Sequence, residues 1–280
     1  CTFYTFFLEG SVTTKRRKRT RFNEGDKLKH IVMRYMSSNR KGMPYGIPGI
    51  GDLVHTALIT YNYGKFYNQP ATMHIGPHQY NRDKPQIWKE IINLFPENSV
   101  HIQVHDFHKE NDKLFFDHVL KTYPDALLHY YKKYPGKCQE VLQPSFFVDE
   151  YLKTFPCLSA KPVDIKLPNK FVTAQFDTTS NKRKLTPQQL QQVKEVWNNK
   201  GYELLIVGGQ ATTRLLRTLS GAGYAMSKAY AHVGVDSGYL HLAHMYFPAN
   251  KIYAYCKIPE DRWSHHQRLM RDNGIKINEY

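Results

Sequence analysis

The sequence predicts an α/β protein built on parallel sheets. Three observations carry that reading. Strands and helices alternate through the C-terminal half, several apolar strands run straight into Gly- or Ser-containing loops, and a further strand followed by a Gly-Asp turn and an apolar helix lies near the N-terminus. Parallel strands need crossovers, usually helices, and their carboxyl ends form the edge where ligands bind.

The elements follow in order. Residues 1–27 form an appended segment with the run Lys15-Arg-Arg-Lys-Arg-Thr-Arg21, which repels itself and suits either a solvated arm or a phosphate-contacting strip. His30-Ile-Val-Met-Arg-Tyr35 reads as a strand. The Gly/Pro-rich stretch Asn39–Ile50 reads as a loop, and Gly51-Asp52 as the opening of an apolar helix. Apolar spacing predicts a helix over Gln86–Phe95, alternation predicts a strand over Val100–His105, and further helices are expected around Lys113–Thr122 and Asp125–Tyr131. Pro156, Pro162 and Pro168 mark a linker.

Beyond it, Phe171–Phe176 is a strand that enters the polar, basic loop 177–184. Thr186 is placed to cap the next helix, Pro187 takes its first position, and Leu190, Val193 and Trp197 form its apolar stripe. Gly201 ends it. Tyr202–Val207 is the following strand and stops at Gly208-Gly209. This β-α-β unit puts the loops 177–184, 208–210 and 236–238 on one edge of a parallel sheet.

The most informative stretch is His232-Val-Gly-Val-Asp-Ser-Gly-Tyr-Leu-His-Leu-Ala-His244. It reads as a buried strand, a tight Asp236-Ser237-Gly238 turn and the first turn of a helix. Free N–H groups and the positive end of the helix dipole make such a turn fit for phosphate, although it also suits an ordinary strand–turn–helix connection. Gly238 allows close approach to the main chain, and Ser237 adds a hydroxyl.

Together these segments resemble the heptosyltransferase-like family 9 glycosyltransferases over residues 29–60 and 170–257. The resemblance is carried by the strand and Lys/Arg loop, the strand ending in Gly-Gly, Asp-Ser-Gly-x-x-His-Leu-Ala, and the Gly51-Asp52 helix start. It implies the GT-B architecture, two Rossmann-like domains with parallel sheets facing across a cleft. On that pattern residues 28–155 form the acceptor-side domain, 156–168 the linker, 169–258 the nucleotide-sugar-binding domain and 259–280 a closing helix. It implies donor contacts from Lys182, Arg183, Gly208, Gly209, Asp236, Ser237, Gly238 and His241, and makes Asp52 the general base of an inverting transfer. The chain departs from the family at the long loop before Gly51, at Cys256–Trp263 where a Gly-Pro-Thr type loop belongs, and between Gly209 and Asp236, where the short spacing suggests a missing strand and helix.

Composition bounds the remaining choices. Apolar residues make up 41% of the 280, enough for a core, and no apolar run approaches the ~20 residues that span a bilayer. Residues 1–8 are apolar but have no basic region before them, so no secretory signal is expected. The four cysteines are widely spaced, which suits free thiols in a reducing, cytoplasmic setting. A net charge of +15 favours an anionic partner. Arg16, Arg17, Arg19, Arg40 and Tyr45 are the expected acceptor contacts. The resemblance implies the phosphorylated inner core of lipopolysaccharide as acceptor. The basic arm, the small size and the tyrosine-rich loop also fit DNA carrying a hydroxymethylated base, as some bacteriophages modify, and DNA is the favoured reading.

His101, His105 and His108 with Asp106 lack the spacing of a helix-borne zinc site, and no Asp-x-Asp chelator occurs. The resemblance implies a nucleotide diphosphate sugar as donor; without a chelator, cations and helix N-termini are expected to hold it with no metal or other cofactor, and a monomer is expected. Two other classes stay open. A non-catalytic nucleotide-binding relative would keep Asp236–Gly238 and have no need of Asp52. A nucleic-acid-binding protein would account for the charge but not for the paired Rossmann-like signals.

Overall fold

The computed structural model describes residues 30–35, 50–66, 68–77, 85–105, 112–124, 126–129, 155–178, 183–235, 237–256 and 274–279. They form two parallel sheets. In the first, β1 (His30–Tyr35), β2 (Ala71–Pro77), β3 (Val100–Val104) and β4 (Leu127–His129) lie in the order β3-β2-β1-β4. The register sets Met33 beside Ile75 and Val32 beside Leu128. Three helices connect these strands: α1 (Ile50–Phe66), α2 (Pro85–Asn93) and α3 (Asp112–Thr122).

The second sheet has the order β6-β5-β7-β8-β9. It comprises β5 (Phe171–Gln175), β6 (Glu203–Ile206), β7 (His232–Val235), β8 (Ile252–Cys256) and β9 (Lys276–Glu279). Its helices are α4 (Pro187–Asn199), α5 (Leu219–Lys228) and α6 (Gly238–Tyr246). The chain moves from β5 outward to β6 and returns to β7 on the other side. The switch point therefore falls between the carboxyl ends of β5 and β7, where open α/β sheets bind ligands.

Local chemistry explains the well-marked elements. At α4, Thr186 Oγ1 accepts from the Gln189 N–H at 3.2 Å while the Thr186 N–H donates to Gln189 Oε1 at 2.8 Å, a reciprocal cap, with Pro187 in the first turn. Val193 and Trp197 turn inward from α4 to meet Val172, Ala174, Phe176, Val233 and Val235. Gly201 takes a φ of 73°, the left-handed conformation that lets the chain leave the helix for β6.

The larger core joins the two sheets. It runs from Met73 and Ile75 through Leu53, Val54, Ala57 and Leu58 of α1 to Leu240, Leu242, Ala243 and Met245 of α6. In α1 every residue from Ala57 to Tyr63 is buried, and in α6 every residue from Leu240 to Tyr246. Helices buried on all sides are mostly apolar, and here the exceptions are Thr60 and Asn62 in α1 and His241 and His244 in α6. Contact is closest at their first turns. A Cβ placed on Gly51 would lie 3.0 Å from Gly238 Cα and 2.8 Å from His241 Cδ2. Further along, α5 packs on α6 where Gly223 faces the Tyr246 ring, and Glu90 of α2 accepts the Leu219 N–H at 3.4 Å.

Several expectations change. Leu127–His129 is a strand beside β1, not part of a helix over Asp125–Tyr131; a short apolar run has no periodicity of its own, and pairing decided it. Lys276–Glu279 is a strand hydrogen-bonded to β8, so these residues are not the end of a closing helix. Between Gly209 and β7 there is no strand, but α5 occupies the interval. β2 and α5 were not read from the sequence.

Two consequences can be measured. Substituting Gly51→Val forces α1 and α6 apart at a backbone contact, and equilibrium unfolding should show a loss of about 1–3 kcal/mol, the usual scale for overpacking. His232 lies fully buried, its Nδ1 3.1 Å from Thr173 Oγ1, and burial pushes its imidazole down to about 3. The unfolded chain binds that proton near pH 6.5, whereas the folded chain resists it until about pH 3. Its contribution is thus intact above pH 6.5 and is lost as pH falls toward 3, by at most about 1.4 kcal/mol per pH unit. His232→Leu should make stability between pH 7 and 4 less steeply pH-dependent than in the parent, as read by urea denaturation.

Candidate functional site

The site forms where β5, β6 and β7 end. Gln175, the last residue of β5, is buried. Its Oε1 accepts from Ser237 Oγ at 2.6 Å, and its Nε2 donates to the Asp177 carbonyl. One amide therefore ties the turn after β7 to the loop after β5. The loop after β6 closes the group. Gly208, with φ 87°, sits so near Gln175 and Tyr239 that an added Cβ would lie 3.4 Å from Gln175 Cγ and 3.0 Å from the Tyr239 ring. A Cβ on Gly209 would stand 3.2 Å from Asp177 Oδ2. Gly208 requires glycine twice over, by its dihedral and by its neighbours.

Hydrogen bonds to backbone carbonyls fix the Gly208 loop. Its N–H donates to Leu216 O at 2.9 Å, Arg217 Nε donates to Ala211 O at 2.8 Å, and the Tyr239 hydroxyl donates to Arg217 O at 3.3 Å. Burial, with the Glu90 carboxylate a smaller influence, pushes the Tyr239 phenol up to about 12, so it stays a protonated donor at neutral pH.

Ser237 is the N-cap residue of α6, yet its side chain makes no capping hydrogen bond because the hydroxyl is directed to Gln175. A serine in that position ordinarily satisfies an N–H of the first turn. Here no side chain of the N-cap covers those donors. They lie beside the first turn of α1, at the Gly51–Gly238 contact, so the positive ends of two helix dipoles meet in one place. Such an arrangement favours an anionic group against main-chain N–H donors.

The structure thus gathers Gly208, Gly209, Ser237 and Gly238, with Gly51 and the backbone of Asp52 in the adjoining turn of α1. Arg183 lies half-buried where the loop after β5 approaches α4. His241 is buried in the seam, its Cδ2 edge toward Gly51 and its ring 5.7 Å from that of His244. Lys182, Asp236, Arg16, Arg17, Arg19, Arg40 and Tyr45 lie outside the described residues. Gln175 and Tyr239 were missed from sequence; their one signal is a polar or aromatic residue bordering a ligand loop. His108 and Asp106 are likewise outside the described residues, whereas His105 pairs with His74, Nε2 to Nδ1, at 2.9 Å. Among the described residues no group of three His, Cys, Asp or Glu side chains could hold a metal.

No protein-family model matches the chain, and no curated protein matches its sequence. Solved structures do match. The crystal structure of the glycosyl transferase family 9 from Veillonella parvula DSM 2008 superposes with a TM-score of 0.50 at 9% identity, over 92% of this chain and 87% of that one. The bacterial iron-containing dodecameric glycosyltransferase TibC from enterotoxigenic E. coli H10407 gives 0.45 at 14% identity, over 83% of this chain and 58% of TibC. E. coli heptosyltransferase WaaC with ADP gives 0.38 at 10% identity, over 90% and 93%. The Veillonella likeness spans both sheets and shows the fold: an α/β chain of the GT-B glycosyltransferase architecture.

Removing the amide that joins the loops should separate them. Gln175→Leu keeps the strand but leaves the Ser237 hydroxyl free to cap α6. Isothermal titration with a nucleoside diphosphate should show about tenfold weaker binding, the scale of one charge-assisted hydrogen bond. Unchanged affinity would mean that the Gln175–Ser237 link has no part in holding the ligand.

Proposed function

We propose that this chain is a nucleotide-sugar-dependent glycosyltransferase that moves a sugar to a hydroxyl of an anionic acceptor with inversion at the sugar carbon. The observation that carries the reading is the N-terminus of α6 at the sheet's switch point, where Ser237 turns its hydroxyl to Gln175 instead of capping the helix and the first turn of α1 lies alongside. The GT-B fold supports it.

The chemistry then divides between the two helix starts. Asp52, in the first turn of α1, takes the proton of the acceptor hydroxyl. The hydroxyl oxygen attacks the anomeric carbon from the face opposite the leaving group, the bond from that carbon to the phosphate oxygen breaks, and the electron pair leaves with the nucleoside diphosphate. The N–H groups of the Ser237–Gly238 turn and the α6 dipole stabilise the charge that appears there, helped by Lys182, Arg183 or Lys184. Gly208 and Gly209 leave room for the donor. Cations and main-chain donors serve this step without an added metal. His241 supports the turn from beneath, against Gly51.

The acceptor is inferred from charge. A surplus of +15 suits a polyanion. Our first choice is DNA bearing a hydroxymethylated base, flipped from its stack to reach the cleft; the phosphorylated core of lipopolysaccharide is the alternative the same charge would serve.

Transfer decides between them. With labelled nucleotide sugars and EDTA present, label should appear on hydroxymethylated DNA and not on unmodified DNA. Label on a lipopolysaccharide core alone would reassign the acceptor, and no transfer to either would remove the enzymatic reading. Asp52→Asn should lower turnover about 10²-fold or more while the rise in melting temperature with nucleoside diphosphate persists. Near-normal turnover would exclude Asp52 as the base.

A further inference from the structure

The opposite edge of the second sheet carries a second, separate feature. Each of its strands begins beside a basic or aromatic residue: Lys170 before β5, Tyr202 before β6, Tyr230 before β7, Lys251 before β8 and Lys276 at the start of β9. The ladder places them in a row. Phe171 pairs with Glu203, the Tyr230 N–H donates to Phe171 O at 3.0 Å, His232 pairs with Ile252, and Tyr253 pairs with Lys276. Five strands at about 4.8 Å spacing make a row roughly 20 Å long.

Side chains knit the row together. The Tyr202 and Tyr230 rings stack at 4.6 Å and 28°. Lys170 Nζ lies 4.6 Å from the Tyr202 centroid, Lys251 Nζ 3.2 Å from that of Tyr230, and Lys276 Nζ 4.8 Å from that of Tyr253 while donating to its hydroxyl at 3.1 Å. Lys200, at the end of α4, covers Trp197 at 4.7 Å. Tyr230 is 44% exposed. A hydrogen bond from Lys251 and that ammonium's charge hold its phenol below the ordinary value, a sign of excess positive field. In the described segments that start these strands (168–171, 198–203, 229–232, 249–253 and 274–277), four lysines face one carboxylate, Glu203.

We infer that this edge is a binding surface for single-stranded nucleic acid, with phosphates along Lys170, Lys200, Lys251 and Lys276 and a base stacked on Tyr230. Cationic tracks interleaved with aromatic faces bind single strands because every base has a face to stack and every linkage carries a charge. Tyr202 backs one side of the Tyr230 ring, and the Lys251 ammonium over the ring gives way to an incoming base and turns to its phosphate. A membrane is the poorer fit: apart from Tyr230, the segments forming this edge expose no large apolar side chain for insertion. Five residues of β5, about 16 Å, separate this edge from Gln175. The surface therefore does not depend on the transferase reading.

The test uses the full chain and a fluorescent fifteen-nucleotide oligothymidine in anisotropy titrations. Affinity should fall with salt at a log–log slope of about −3, some 50-fold between 50 and 200 mM, as four phosphate contacts to a single strand require. K170Q/K251Q/K276Q should weaken binding at least tenfold, and Tyr230→Ala at least fivefold while Tyr230→Phe stays near the parent. In each variant the melting temperature should stay near the parent's, which reports an intact fold without calling on the opposite edge. Photocrosslinking of a bromodeoxyuridine oligonucleotide to the unmodified chain should map to Tyr230, a readout that needs no variant. Failure of the parent chain to bind, parent-like affinity in the lysine variant, or crosslinks confined to other residues would each overturn the inference. So would lysine-dependent binding to phosphatidylserine vesicles with none to the oligonucleotide.

Discussion

The close approach of Gly51 to Gly238 governs this molecule. With no side chain on either residue, the first turns of α1 and α6 come within van der Waals reach, and two otherwise separate sheets share one core through those helices. The starts of both helices, with the positive ends of their dipoles, thereby lie side by side. Packing and chemistry have the same cause. A larger residue at Gly51 would meet backbone at Gly238, which cannot swing aside as a side chain does.

A second layer of order comes from polar residues buried on one face of the C-terminal sheet. Thr173 and Gln175 of β5 lie alongside His232 and Gly234 of β7. Thr173 meets His232 at Nδ1, and Gln175 reaches past the strand end to Ser237 and Asp177. Buried polar groups are costly unless paired, so such contacts fix a single arrangement. Gly234 keeps the face open, since a Cβ there would sit 2.8 Å from Gln175 O. The consequence reaches the ligand loops directly, because the amide that closes the network also holds the α6 turn.

The same sheet presents opposite chemistries at its two ends. At the carboxyl ends stand the N-terminus of α6 and the glycines of the loop after β6. At the amino ends, lysines and tyrosines offer side-chain cations and aromatic faces in the open. A parallel sheet makes this division natural, since all its strands start on one edge and finish on the other.

What the sequence by itself determined were the features with local causes. The α4 cap is written in Thr186 and Pro187; the β5–α4–β6 unit follows from periodicity; and the passage from β7 through Ser237 into α6 was legible as a strand meeting a helix. Those suffice for the α/β class and for placing the loops after β5, β6 and β7 on one edge. Tertiary structure decided what depends on partners far along the chain. Leu127–His129 became a strand because β1 offered it a ladder, and Lys276–Glu279 because β8 did. Gln175 entered the site through a residue 62 positions away, and Gly51 acquired its meaning through Gly238 and His241. The row of lysines and tyrosines is scattered over more than a hundred residues and exists only once the ladder aligns the strand starts. Capping and periodicity act within a few residues and leave a mark in sequence, whereas ladder pairing and close helix contact join residues whose separation no local pattern records.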